Sequence, residues 1–399
     1  MLGFENLRIL DISTIIAGPF ASLNFAKRGS EVIHLELPEV GDGARNLGTV
    51  AEAAGGWFKF LSQDKLHASL RLSVTEGADL FKKLVAESDI LIENFRPGTL
   101  ERWGLGPSVL ESANPRLIMI RISGFGQWGP NSHRPGYGTL AEAMSTFPFV
   151  TGQADGPPTL PGTALADTFA GYAAYSAALE GLFRREQSPL DVGFQCIDVP
   201  LYGAMTFAMG LHAAEYGVTG RSPQRRGNRL GNAPRNAVLS SDGQWIVYSA
   251  QSNNIVKSII ALLGVSHKQK FLEDQAGYKY GEELDKLISE WVSQHTAEDV
   301  LNAFDAHGIP SGPIYNAEQL VSDAHLIARG DIEEVRDSET NAMLRLPGLP
   351  YRFDDEEVRA ESVTSVTGGS IGQDNHDVYT RLAGLSENDI EALESTGII

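Results

Sequence analysis

Between residues 7 and 123 the sequence alternates short apolar runs of strand length with helical patterns, and no other feature restricts the fold as much. Residues 7–12, 31–37, 68–72, 89–93 and 116–123 read as strands. Residues 18–28 and 75–87 read as helices, the second with Thr75 as its N-cap. Such repetition gives parallel strands joined by right-handed crossovers, hence an α/β fold. Ligands of these sheets lie beyond the carboxyl ends of the strands, so the informative loops follow Ile12, Leu37, Glu93 and Ser123.

A chain of 399 residues exceeds what one core normally organises, so two domains are expected. A polar stretch at 188–192 precedes a strand at 193–199 and a helix at 200–216. Residues 237–241 and 244–249, joined by Asp242 and Gly243, read as a hairpin, followed by helices at 253–263, 282–294 and 297–307. This describes a smaller α+β domain. A charged hairpin at 331–353 and a helix at 387–394 capped by Ser386 complete the chain. The division is therefore 1–190 for the N-terminal part of the large domain, 191–227 for a linker and helix, 228–325 for the small domain, and 326–399 for the return to the large domain.

The net charge of -19 repels phosphate backbones and anionic lipid heads, so neither nucleic acid nor a membrane is an expected partner. The single cysteine, Cys196, permits no internal disulfide and reads as a small buried hydrophobe beside Phe194, Ile197 and Val199. No basic, apolar leader opens the chain and no apolar run approaches the ~20 residues that span a bilayer, so a cytoplasmic protein is expected. The nine histidines lack metal-ligand spacing, and no metal site is expected.

Residues 162–183 place a lone carboxylate, Asp167, at the mouth of a helix rich in Ala and Gly. It reads as the N-cap. It reads equally as a nucleophile toward activated acyl groups if Phe169, Tyr172 and Tyr175 wall an apolar site around it. The loop at 13–19 can present N–H groups to an anion, and Arg96 and Arg102 can pair with phosphates. Residues 124–129 match G-x-G-x-x-G, but Pro130 and the polar residues after it deny the helix that a dinucleotide needs. Arg221, Arg225, Arg226 and Arg229 form a second candidate anion site.

Several of these segments resemble one family in order along nearly the whole chain. They are LDIS at 10–13 with AGP at 17–19, SDILIENFRPG at 88–98, NPRLI at 114–118, ISGFGQWGP at 122–130, RPGY at 134–137, GTALADTFAG at 162–171, GIPSGP at 308–313, GQDN at 372–375 and GLS at 384–386. The sequence is thus similar to the class III CoA-transferases, the CaiB/BaiF family typified by formyl-CoA transferase. The resemblance implies a Rossmann-like large domain whose parallel sheet is formed with the C-terminal segment, a small α+β domain, and an interlocked homodimer. It also implies transfer of coenzyme A from an acyl-CoA to a carboxylic acid through aspartyl anhydride and aspartyl-CoA thioester intermediates on Asp167. Coenzyme A is then a substrate, with no tightly bound cofactor. By the same similarity Ile16, Ala17, Asn94, Phe95, Arg96 and Arg102 line the CoA, with Tyr137 near the acyl group.

The sequence departs from the family where Thr14 and His34 replace basic residues, and around Arg226 and Gly231, where a multi-glycine lid is absent. Two other readings use the same residues. An α-methylacyl-CoA racemase of this fold needs an acid/base pair about the α-carbon, for which Tyr137 is a poor base. A non-catalytic CoA-binding protein needs Asp167 only as a cap.

Overall fold

The apolar runs of the first two hundred residues form six parallel strands: β1 (Arg8–Asp11), β2 (Glu31–Glu36), β3 (Leu66–Ser69), β4 (Ile90–Glu93), β5 (Ile118–Ser123) and β6 (Gln195–Pro200). They lie in the order β3-β2-β1-β4-β5-β6. This computed structural model describes residues 4–48, 55–188, 192–229, 234–273, 279–353 and 365–399. The chain divides into two units, the first comprising Met1–Phe147, Leu160–Val218 and Ala324–Ile399, the second Pro148–Thr159 and Thr219–Asp323. The expected boundary at 190/191 and most of the 188–192 linker lie outside the described residues, as does Gly231.

In the first unit β1 to β5 are buried on both faces, which accounts for apolar runs such as those of β4 and β5 that do not alternate. On one face Leu10, Leu91 and Met119 join Phe81, Leu84 and Val85 of α2 (Thr75–Ala86) and Leu110 of α3 (Pro107–Ala113). On the other, Ile9, Ile90, Ile118 and Ile120 meet α1 (Ala17–Ala26), α4 (Gly138–Met144), α5 (Leu165–Gln187) and α6 (Leu201–Ala208). Each fully buried side chain of this kind contributes about 1.5–3 kcal/mol.

All six strands of the sheet precede residue 201. Among the described residues the C-terminal segment adds no strand to this sheet and joins the large domain through helices. Val378 and Tyr379 of its first helix (Asn375–Ala383) and Ile390 of the next (Glu387–Ser395) enter the core, and Tyr379 donates to the Ser69 carbonyl at 2.6 Å. Ser386 caps the last helix in a reciprocal box with Asp389, as its sequence implies. The charged hairpin forms as β10 (Ile332–Arg336) against β11 (Met343–Pro347).

Local readings changed in four places. Val74, not Thr75, occupies the N-cap of α2, without a side-chain bond. β3 starts two residues early, because Asp64 turns at φ 57 and His67 pairs with His34 in the ladder. The helix at 200–216 breaks after Met209, with α7 (Gly210–Thr219) starting on a glycine, a poor helix former. Cys196 is exposed on the edge strand β6, of which only Gln195 and Val199 are buried.

The second unit contains the expected hairpin as β7 (Arg235–Leu239) and β8 (Trp245–Ser249), with β9 (Ser311–Pro313) alongside. The expected helices follow at Asn253–Leu262, Gly281–Val292 and Ala297–Ala306, and close a core around Tyr248, Ile259, Leu284 and Phe304.

Candidate active site

β1 and β4 are neighbours, yet α1 leaves β1 toward one face and α3 follows β4 on the other. The topological switch point of the sheet therefore falls between β1 and β4, where ligands of such sheets bind. Asn94, at the end of β4, fastens together the loops after these two strands. Its side chain accepts from Thr14 N–H at 2.9 Å and donates to the Thr14 carbonyl at 2.7 Å. Its amide thus shapes the loop that carries Ile16 and Ala17.

The same loop is held from beneath. Ser13 donates to Asp11 through both its N–H and its hydroxyl, and Ile15 N–H donates to Asp42 at 2.8 Å. Ile15 sits at φ 74, a region that β-branched residues rarely adopt, so these bonds stabilise a strained backbone. Under them His34 stands 3.2 Å from Asp11 and 3.4 Å from Asp42, while Lys65 reaches Ser22 at 2.8 Å. Burial pushes His34 downward, but the Asp11 carboxylate overrides it and raises the imidazole to about 9. Burial also disfavours the charged form of Asp11, yet His34 and Lys65 hold it well below the usual carboxylate range.

A stability prediction follows from His34. An unfolded histidine titrates near 6.5, so the raised folded value contributes stability that is complete below that pH and is lost as pH rises through about 9. Unfolding free energy should drop on the order of 2–3 kcal/mol between neutral pH and pH 10. His34→Gln should start less stable and flatten that alkaline slope in thermal melts. An equal slope in both proteins contradicts the pairing.

Asp167 is not the N-cap. Leu165 and Ala166 are good helix formers and start α5 earlier, with Ala164 in the cap position and Asp167 in the first turn. The capping bond comes from another helix. Glu142 of α4, 4% exposed, accepts from the Ala166 N–H at 3.1 Å. The half-buried Asp167 carboxylate is left with its own backbone N–H as the hydrogen-bond donor acting on it among the described residues. Burial, and then the Glu142 charge, push Asp167 up to about 6. It remains largely ionised at neutral pH and is more basic than an exposed carboxylate.

Two close approaches make this geometry. A β-carbon at Gly138, the first residue of α4, would lie 2.1 Å from Asp167 Oδ2. At Gly171, one turn beyond Asp167, a β-carbon would lie 2.8 Å from the Ala17 carbonyl, so the start of α1 lies directly on α5. The structure thereby brings Ile16, Ala17 and Asn94 to the same end of the sheet as Asp167, and seats Tyr137, 66% exposed, in the cap position of α4. Phe95 donates its N–H to Glu93 and packs edge-on to Trp103 at 5.2 Å. Arg96 and Arg102 are exposed beyond β4, and Arg102 also donates to Thr99.

Two groupings read from the sequence do not form. Tyr175 lies in the core against Phe25 with its hydroxyl on Tyr351, so Phe169 and Tyr172 are the aromatics of that trio on the open side of α5. In the arginine-rich loop Arg229 binds Glu282 and Asp285, and Arg225 donates to the Phe149 carbonyl, so the four do not converge on one anion site. Residues 124–137 form turns without a helix, consistent with rejecting the dinucleotide motif. Glu142, Gly138 and the buried Glu93–Arg121 pair were not singled out by sequence. An acidic residue on a short helix reads as a solvated face, and only its burial reveals otherwise.

Comparison with known proteins shows the family. The profile of CoA-transferase family III matches residues 4–364, and the chain belongs to that family. Among similar proteins, succinyl-CoA–D-citramalate CoA-transferase of Chloroflexus aurantiacus is 36% identical, over 99% of this chain and 98% of its own. Succinyl-CoA:glutarate CoA-transferase of Mus musculus is 29% identical over 100% and 91%. A CaiB/BaiF family protein from Brucella suis superposes with a TM-score of 0.81 at 28% identity, covering 94% of this chain and 98% of that one. The protein is thus a class III CoA-transferase, an enzyme that moves CoA between an acyl-CoA and a carboxylate. No helix among the described residues is long and apolar enough to cross a membrane.

Proposed function

We propose that Asp167 is the nucleophile of a CoA transfer from succinyl-CoA to a second dicarboxylic acid. The observation that carries this reading is the half-buried Asp167 carboxylate, relieved of capping by Glu142, at the same end of the sheet as the switch point. The Asp167 oxygen attacks the thioester carbonyl, the C–S bond breaks, and a mixed anhydride forms with release of the CoA thiolate. The thiolate attacks the aspartyl carbonyl, expelling the donor carboxylate and leaving an aspartyl-CoA thioester. The acceptor carboxylate attacks that thioester, the thiolate leaves again, and its attack on the acceptor acyl carbon gives the new acyl-CoA and restores Asp167. Retaining the thiolate makes each return step effectively intramolecular, an advantage of up to about 7–11 kcal/mol.

The choice of dicarboxylates rests on the relatives, whose names pair succinyl-CoA with D-citramalate or glutarate. Incubating the enzyme with succinyl-CoA and a panel of mono- and dicarboxylic acids, then identifying the CoA products by mass spectrometry, tests it. Acceptance of monocarboxylates alone contradicts the proposal.

In this reading Ile16, Ala17, Asn94 and Phe95 line the CoA, Asn94 also holding the loop, while Arg96 and Arg102 meet its phosphates and Tyr137 borders the acyl group. Arg96→Ala and Arg102→Ala should each raise KM for acyl-CoA about tenfold with little change in kcat, since distant phosphate contacts stabilise ground and transition states alike. A fall in kcat at constant KM contradicts the placement. A second copy of the chain would cover α7, which buries none of its residues and exposes Leu211, Tyr216 and Val218. Light scattering that reads a single chain mass contradicts the dimer.

A further inference from the structure

We infer that Glu142 is a positioning residue for the transfer, holding the first turn of α5 in place of Asp167 and setting a negative charge beside the nucleophile. The inference rests on the reading of Asp167 as that nucleophile. α4 is an inverted helix: it buries Gly138, Ala141 and Glu142 while Leu140 and Met144 face outward, each 39% exposed. Burying a carboxylate there is costly, and the same helix could satisfy its packing with an apolar residue. What the carboxylate does is accept the Ala166 N–H, one residue before Asp167, while Gly138 one turn earlier leaves room for the Asp167 oxygen. One short helix therefore fixes the nucleophile's backbone at one point and borders its side chain at another.

Glu142 is also the charge that acts on Asp167. Of the other elements packed on α5, α1 has no ionisable side chain and α6 carries only Tyr202. β5 and β6 bring Arg121, Cys196 and Asp198; Arg121 is engaged by Glu93 and Glu101, and Asp198 accepts from the Gln127 N–H. A like charge beside a carboxylate favours its protonated form and makes the ionised form more basic. The acid limb of the rate should therefore sit near pH 6 in the wild type.

The test uses the full chain with Glu142→Gln and Glu142→Ala, measuring turnover with succinyl-CoA as a function of pH together with covalent labelling of Asp167. Gln keeps the acceptor for the Ala166 N–H and removes the charge. Its acid limb should move down from about pH 6, yet stay above 3.8 because burial persists, with kcat at neutral pH within a few-fold of wild type. Ala also removes the acceptor, and kcat should fall by up to about 100-fold while KM for acyl-CoA stays within about twofold. An unmoved limb in the Gln variant overturns the assignment, and that variant decides the matter if the Ala variant does not fold. Absence of labelled Asp167 in the wild type overturns the nucleophile and Glu142 together, whereas labelling in the wild type with an unmoved limb overturns Glu142 alone.

Discussion

Asp167→Ala should lose at least about four orders of magnitude in kcat while melting within a few degrees of the wild type. The two halves of that expectation come from one geometric fact. Glu142 and not Asp167 accepts the Ala166 N–H, so removing the Asp167 side chain leaves the capping bond in place. What is lost in the fold is a first-turn acidic residue, worth about 0.3–1 kcal/mol, partly offset by the better helix propensity of alanine and by relief from the Glu142 charge. What is lost in the chemistry, in the proposed mechanism, is the carboxyl group that carries first the acyl group on its oxygen and then CoA on its carbon. Kd for CoA, measured by calorimetry, should change less than about threefold, because the loops proposed to line CoA are anchored through Asn94 and Asp42 and not through Asp167. Substantial residual turnover retires the nucleophile; collapse of the fold retires the division of labour with Glu142.

Gly138→Ala should be the most damaging single-methyl change in the protein for catalysis. The added β-carbon would lie 2.1 Å from Asp167 Oδ2 and 3.1 Å from its Cγ, so the carboxylate must swing away. A displacement of about 1 Å at a reacting atom costs about 100-fold in rate. Gly138 has no left-handed backbone angle, so alanine at this position costs little for the backbone itself. The loss should therefore appear in kcat, with KM for acyl-CoA and thermal stability close to wild type. Equal activity in the two proteins means that the carboxylate reacts from another position.

Much of this architecture is legible in the sequence because it rests on local periodicity. The strand runs around Ile9, Val32, Ile90 and Ile120 are apolar on both faces, and a run of that kind has few places to go except a covered parallel sheet. The Asp242–Gly243 hairpin and the Ser386 cap carry their own chemistry in two to four residues. Asp167 stands out in the sequence as a lone carboxylate in a segment of small residues, and the assignment of Ile16, Ala17 and Asn94 rests on motif resemblance. Their roles were less legible. Asn94 is expected to line CoA by resemblance, and its side chain also binds the Thr14 backbone, 80 residues away, which no local pattern encodes. The capping of α5 by Glu142 joins residues 24 apart across two helices, and no local pattern encodes such a bond. Cys196 was misread for the complementary reason: its neighbours are apolar, but exposure depends on β6 being the last strand of the sheet.

The central claim, that a single carboxylate carries the group in transit, is tested most directly by mixing the enzyme with succinyl-CoA in the absence of acceptor and reading the protein mass. The account predicts a covalent adduct that hydroxylamine cleaves and borohydride reduces, localised by peptide mass spectrometry to Asp167. Turnover with acceptor present but no adduct at Asp167 under these conditions contradicts it.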